Sequence, residues 1–206
     1  MHALNTILEK KLLAEKINQY IVHTPSIARK AKAGQFVILR LSDGGERVPL
    51  TIVDHDAEKG TITLIVQTVG KSTKMLDEIE PGEAIQDVLG PLGNPSEIEN
   101  FGRVAVIGGG VGAAVAFPVA KALKLAGNHV TAIVGARNKD LIILKPELEQ
   151  VTDRLLLTTD DGSYGLHGFV TDQLRMLLES GESFDYVLAI GPLFMMRAVA
   201  DLTKPY

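Results

Sequence analysis

The chain has 206 residues, enough for one large or two small domains. Its hydrophobic content of 46% supports packed cores, and 22% charged residues is an ordinary solvated surface. A net charge of −4 argues against nucleic-acid binding, which asks for a basic face, and the lack of cysteine excludes disulfides and thiolate-ligated metals or clusters within these residues.

No N-terminal segment joins a basic start to an apolar core, so no secretory signal is read. The longest uncharged run, 104–120, is studded with glycine and holds Pro118; it reads as a buried strand and helix rather than a membrane span. The expected location is the cytoplasm.

In chain order, the first hundred residues carry strand and turn signals. Residues 7–25 alternate weakly, 34–39 and 60–66 read as strands, and 43–45 and 58–60 punctuate them as turns. One short helix is predicted over 72–79, stopped by Pro81 and Gly82. Short strands at this spacing suggest a small antiparallel β-barrel. Near 100–102 the pattern changes to alternating strand and helix. Strands are predicted at 103–107, 129–134, 154–158 and 185–190, with helices at 112–126, 145–150, 169–180 and 192–203. The parse is therefore two domains: a barrel over 1–100 and a Rossmann-like α/β parallel sheet over 101–206. The last helix would naturally lead to one more strand, so the sheet is expected to lack its last strand and the chain to be a fragment.

The strongest motif is RVAVIGGGVGA over 103–113. Gly108, Gly110 and Ala113 fit G-x-G-x-x-A between an apolar strand and a helix, the arrangement that seats a dinucleotide pyrophosphate on backbone amides and a helix dipole. Two clusters in the first domain suit a second ligand. Arg47, Val48, Pro49, Leu50 and Thr51 join a guanidinium fork to a rigid proline, with Thr51 read as opening the next strand; alone, the segment is better read as an edge strand with a surface arginine. Gly70, Lys71, Ser72 and Thr73 resemble the end of a P-loop, but Ile65 stands where its first glycine belongs. That leaves an ordinary helix cap or an anion site. Residues 91–95 read as a rigid turn. His2, His23, His55, His129 and His167 are scattered, G-x-S-x-G is not matched at 162–165, and no metal site is expected.

Taken in order, AGQFVILRL (33–41), GERVPLTI (45–52), VGKSTKML (69–76), DVLGPLGNP (87–95), VIGGGVGAAVAFP (106–118), VGARNKDLIIL (134–144), TTDDGSYGLHGFVT (158–171) and AIGPLFMM (189–196) resemble the ferredoxin–NADP reductase superfamily. The likeness covers nearly the whole chain. It is greatest to the small subunit of NADH-dependent ferredoxin:NADP oxidoreductase, also described as a sulfide dehydrogenase subunit, and near to the electron-transfer subunit of dihydroorotate dehydrogenase. Ile190 before the Gly-Pro turn and Thr51 closing the Arg-Pro segment favour the first branch.

The resemblance implies a flavoprotein that passes hydride from NAD(P)H to FAD and electrons on to a larger iron–sulfur or flavin redox subunit in a heterodimer, and indirectly to ferredoxin. It implies that Arg47 meets the FAD pyrophosphate, that Pro49, Leu50 and Thr51 line the isoalloxazine, and that Thr51 hydrogen-bonds the reactive nitrogen. Leu64, Ile65 and Val66 would border the flavin, and Gly70, Ser72 and Thr73 would complete its phosphate site. Gly109, Gly110, Val111 and Gly112, with Gly191 and Pro192, would receive the nicotinamide nucleotide, and Asp160 and Asp161 would shape a turn or touch it. Relatives carry a [2Fe–2S] segment whose ligands this cysteine-free chain does not supply. The strand ending in Arg137 lacks the acidic residue that reads a ribose 2′-hydroxyl, leaving NADH and NADPH both open. The competing class is a non-enzymatic nucleotide-binding module.

Overall fold

The computed structural model describes residues 3–206, which divide into two compact units, one ending at Glu97 and the other running Ile98–Tyr206. Each is built around its own sheet system.

The first unit contains β1 (Ile7–Ala14), β2 (Ile17–His23), α1 (Pro25–Ala28), β3 (Phe36–Arg40), β4 (Val48–Thr51), β5 (Asp54–Asp56), β6 (Thr61–Gln67), α2 (Lys71–Asp77) and β7 (Asp87–Leu92). The weakly alternating opening stretch is a hairpin, β1 paired antiparallel with β2, turning through Glu15 and Lys16. Lys16 takes a φ of 58° there, a conformation normally left to glycine or asparagine, which is why the turn carries no sequence signal.

The strands form two antiparallel sheets, β1-β2-β6-β5 and β4-β3-β7, and among the described residues no continuous ladder closes them into a single ring. They are stitched at two places. Near the start of β1, Ile7 N–H donates to Glu83 O and Ile85 N–H to Asn5 O around an isolated Thr6–Ala84 bridge. Between β4 and β5 the chain steps from one sheet to the other: Ile52 N–H donates to Gln35 O and Val53 N–H to Thr63 O. The inner faces of both sheets share one core, with Tyr20, Val22, Val37, Leu39, Ile62, Leu64 and Val66 all buried in it. Two local readings change. Thr51 closes β4 rather than opening the next strand, and Pro91 and Leu92 extend β7, so the turn begins only at Gly93.

The second unit contains β8 (Arg103–Gly109), α3 (Gly112–Leu125), β9 (His129–Ala136), α4 (Lys145–Val151), β10 (Arg154–Thr159), β11 (Leu166–His167), α5 (Val170–Glu179), β12 (Tyr186–Ile190) and α6 (Leu193–Thr203). All its strands run parallel in the order β11-β10-β9-β8-β12. Val104–Ile107 and Val130–Val134 are buried without a break, Thr131 included, because helices cover both faces of a parallel sheet. Ile107 and Ile133 meet Val170, Leu174, Leu177 and Leu178 of α5, and Met195 and Val199 of α6, in one buried cluster. The chain builds outward from β8 through β9, β10 and β11, then returns to place β12 on the other flank of β8. The reversal of strand order therefore falls between β8 and β12.

Candidate functional site

In the first unit the fold brings the two suspected ligand segments together. β4 is an edge strand in the register Phe36↔Thr51, Val37↔Leu50, Ile38↔Pro49. An edge accommodates Pro49, which has no N–H to give a ladder. Alternation turns Leu50 toward the core and leaves Pro49 exposed. Arg47, one residue before β4, is exposed and has no hydrogen-bond or ion-pair partner among the described residues.

On the other side, Val69 N–H and Gly70 N–H both donate to Thr73 Oγ1 at 3.0 Å. That hydroxyl is committed to closing its own turn. The Ser72 hydroxyl instead donates to the carboxylate of Glu46, the residue before Arg47. This bond clasps the 47–51 and 70–73 segments together, and nothing in the sequence signals a contact spanning those 26 positions. Both hydroxyls of the second segment are therefore engaged, and Arg47 is the exposed cation beside them without a partner among the described residues.

Of the strand residues expected beside the flavin, Leu64 and Val66 point into the core while Ile65 lies on the opposite face of β6. Their backbones matter more. Thr63 O faces β5, so the period-2 alternation directs the N–H and C=O of Ile65 and Gln67 to the same side, beyond the end of the three-residue β5.

In the second unit the glycine loop sits at the carboxyl end of β8. Gly110 has φ of 58°, its N–H donates to Gly135 O at 2.8 Å, and a Cβ built on it would meet nothing within 4 Å. The surrounding glycines are there for packing. A Cβ on Gly108 would lie 2.8 Å from Ala113 Cα, one on Gly112 would lie 2.4 Å from Ile190 O, and one on Gly109 would lie 2.4 Å from Met195 Sδ. A Cβ on Gly191 would be 3.2 Å from Gly109 Cα, so the loop after β12, with Pro192, lies directly against the loop after β8.

The two loops thus flank the reversal of strand order, the crevice where open α/β sheets bind ligands. Sequence periodicity does not reveal this, because strand order is not written in it. At the same edge the backbone N–H groups of Val111 and Gly112, at the start of the 14-residue α3, find no acceptor among the described residues. Two free donors at a helix N-terminus, beside a glycine facing open space, suit a pyrophosphate.

Asp160 and Asp161 follow β10 and diverge in role. Asp161 Oδ1 accepts from both the N–H and the hydroxyl of Ser163, which hold its carboxyl below the usual carboxylate range. It shapes the turn. Asp160 is exposed and its carboxylate has no partner among the described residues, as is true of the Arg137 guanidinium at the end of β9. Among the described residues no group of three His, Asp or Glu is placed to hold a metal; His2 lies outside them. No helix of the described residues is long and apolar enough to cross a membrane.

Comparison with known proteins gives these features a context. Residues 5–96 match the model of the oxidoreductase FAD-binding domain. The chain is 48% identical over 195 residues to a homolog of the dihydroorotate dehydrogenase B (NAD(+)) electron transfer subunit from Thermotoga maritima, across 95% of this chain and 68% of that protein. It is 30% identical over 202 residues to the dihydroorotate dehydrogenase B (NAD(+)) electron transfer subunit of Geobacillus thermodenitrificans, across 95% of this chain and 77% of that one. Among solved structures, that of an NADH-dependent reduced ferredoxin-NADP oxidoreductase superposes with a TM-score of 0.93 at 45% identity, across 99% of this chain and 73% of the other.

Fold and matches together define an FAD-dependent oxidoreductase of the ferredoxin reductase type. The chain belongs to the family of electron-transfer subunits that includes those of dihydroorotate dehydrogenase B. The relatives are named as subunits, that is, as components of an assembly.

Proposed function

We propose that residues 1–100 bind FAD and residues 101–206 bind NAD(P)H, and that the chain accepts hydride from the nucleotide and delivers electrons to an iron–sulfur centre on a larger partner, as in NADH-dependent ferredoxin:NADP oxidoreductase. The observation that carries this is the coincidence of the FAD-binding match over 5–96 with the unit in which the 47–51 and 70–73 segments are clasped. Bound FAD supplies the exchange of a two-electron hydride for single electrons, and the protein supplies position and electrostatics.

Arg47, without an ion pair among the described residues, holds a phosphate through its planar fork, and Ser72 adds its hydroxyl by exchanging the bond to Glu46 for one to that phosphate. Pro49 and Leu50 offer apolar edges to a ring, and Thr51 offers a hydroxyl at the end of β4. Leu64 and Val66 keep β6 rigid from within the core, and Ile65 presents its backbone. Gly70 and Thr73 fix the turn that carries Ser72. In the second unit Val111 and Gly112 donate N–H groups to a pyrophosphate, Gly110 lets it approach, Gly109 packs the loop against Met195, and Gly191 and Pro192 border the far side of the crevice. Asp160 and Arg137 stand where a ribose or its 2′ substituent would be read, with Asp161 holding their turn. Ferredoxin is reached through the partner, and the setting is the cytoplasm.

Titration of the folded chain with FAD, followed by flavin fluorescence and absorbance, tests the reading. Saturable binding and bleaching by NADH or NADPH under anaerobic conditions are expected, and comparison of the two nucleotides assigns the donor. Nucleotide binding without flavin would identify a non-enzymatic module instead. A second reading, the dihydroorotate dehydrogenase electron-transfer subunit, is supported by the names of the relatives. Co-purification with a dihydroorotate-oxidising subunit would establish it.

A further inference from the structure

The clasp between the 47–51 and 70–73 segments carries a charge that the clasp itself does not need. Glu46 is exposed, stands one residue before Arg47, and its Oε2 accepts the hydroxyl hydrogen of Ser72. A glutamine would accept that hydrogen through its side-chain carbonyl, which offers the same two lone pairs. What the carboxylate adds is a negative charge, at a place where an anion is to bind.

A serine hydroxyl has one hydrogen to give. A phosphate oxygen that takes it displaces Glu46, and the displaced carboxylate stays tethered by the backbone beside Arg47. Thr73 offers no substitute, because its hydroxyl accepts from Val69 N–H and Gly70 N–H and donates to Gly70 O at 3.1 Å. The charged side chains of the two segments are then Arg47 and Lys71 against Glu46. Both cations are exposed and lack an ion-pair partner among the described residues. Two positive charges and one negative leave a single net positive charge to meet the ligand.

That balance separates two kinds of phosphate. The flavin-side phosphate of FMN is esterified once and carries close to two negative charges at neutral pH, its second pKa being about 6. In FAD the same phosphate is esterified twice and carries one; the second charge of FAD sits on the next phosphate, farther from Glu46. We propose that Glu46 selects FAD over FMN: its carboxylate, held at the phosphate site by Ser72, repels the doubly charged phosphate more than the singly charged one. This rests on the reading that Arg47 and Ser72 receive the phosphate of a flavin nucleotide. Selection of this kind acts by repelling the wrong ligand, at some cost in affinity for the right one.

The test is Glu46→Gln, which keeps an acceptor for Ser72 and removes the charge. The variant and the unaltered chain are titrated with FAD, FMN and riboflavin by flavin fluorescence. FMN affinity is expected to rise about three- to fivefold, as for an exposed charge contact, and FAD affinity by less than about twofold, so the preference for FAD narrows. The narrowing should fade in 1 M salt, where charges are screened beyond roughly 3 Å. Riboflavin, which has no phosphate, should bind both proteins alike. An unchanged ratio of FAD to FMN affinity would overturn the proposal. So would a gain undiminished by salt, or one shared by riboflavin, since either would place the effect outside the phosphate charge. No uptake of FAD by the unaltered chain would refute the cofactor reading and the selection with it, whereas uptake with an unmoved ratio refutes the selection alone.

Discussion

Gly110 and Gly181 form a matched pair on which the nucleotide site can be tested. Both have left-handed backbone, φ of 58° and 90°, and a Cβ on either would meet nothing within 4 Å. Substitution by alanine therefore carries the same penalty at each, the cost of placing a Cβ-bearing residue in that region, about 1–2 kcal/mol. For a unit of this size each kcal/mol lowers the melting temperature by roughly 4–8 °C. The two differ in what the open space is for. Gly181 ends α5, where its N–H donates to Leu178 O, while Gly110 faces the crevice beside the free N–H groups of Val111 and Gly112. A methyl at 110 would push a pyrophosphate off one charge-assisted contact, about 1.5–3 kcal/mol or roughly 10- to 150-fold in affinity. Gly110→Ala and Gly181→Ala should thus melt alike in the absence of nucleotide, while only Gly110→Ala loses NADH affinity in a titration. Equal NADH affinity in the two variants would refute the placing of the pyrophosphate at this loop.

Arg47→Ala should leave the melting temperature of the cofactor-free chain nearly unchanged, because the side chain is exposed and unpaired among the described residues, yet weaken FAD binding by about 1.5–3 kcal/mol in a fluorescence titration. Thr51→Val keeps the shape of the β4 terminus and removes the hydroxyl; FAD affinity should change little while flavin bleaching by NADH slows in stopped-flow traces. The Lys124 ammonium beside Asp153, helped by Val130 N–H, holds the Asp153 carboxyl below the usual carboxylate range. A carboxyl with its folded pKa depressed stabilises above its unfolded value, near ~3.9, and that stabilisation is lost as pH falls through the lower folded value. Asp153→Asn should accordingly flatten the acid limb of stability against pH in urea melts below about pH 4.

Much of the second unit is legible in the sequence because its signals are local. Val104–Ile107 is an apolar run and Val130–Val134 is one but for Thr131, both bounded by glycine or polar turns, and the strands and helices read in this half lie within a few residues of those observed. What periodicity does not contain is order: β12 lies beside β8 although 76 residues separate Gly109 from Tyr186, and only that adjacency brings Gly191 against Gly109. In the first unit the local rules mislead where tertiary structure overrides them. Lys16 turns a hairpin without glycine, and Pro49 sits inside a strand because that strand is an edge. The Ser72–Glu46 clasp is side-chain geometry between distant positions, and no pattern of residue types announces it.

The early end of β5 has a further consequence. A peptide ladder is a row of alternating donors and acceptors, and any flat molecule with an imide or ureide edge carries the same row in miniature. Beyond β5, β6 still offers that row through Ile65 and Gln67, at the place where the chain has just stepped from one sheet to the other. A heterocycle laid there would complete the ladder as a surrogate strand, recognised by its edge and not by its charge. Side-chain substitutions at Ile65 would then alter its fit without abolishing its recognition, whereas a longer β5 would compete for the same backbone groups.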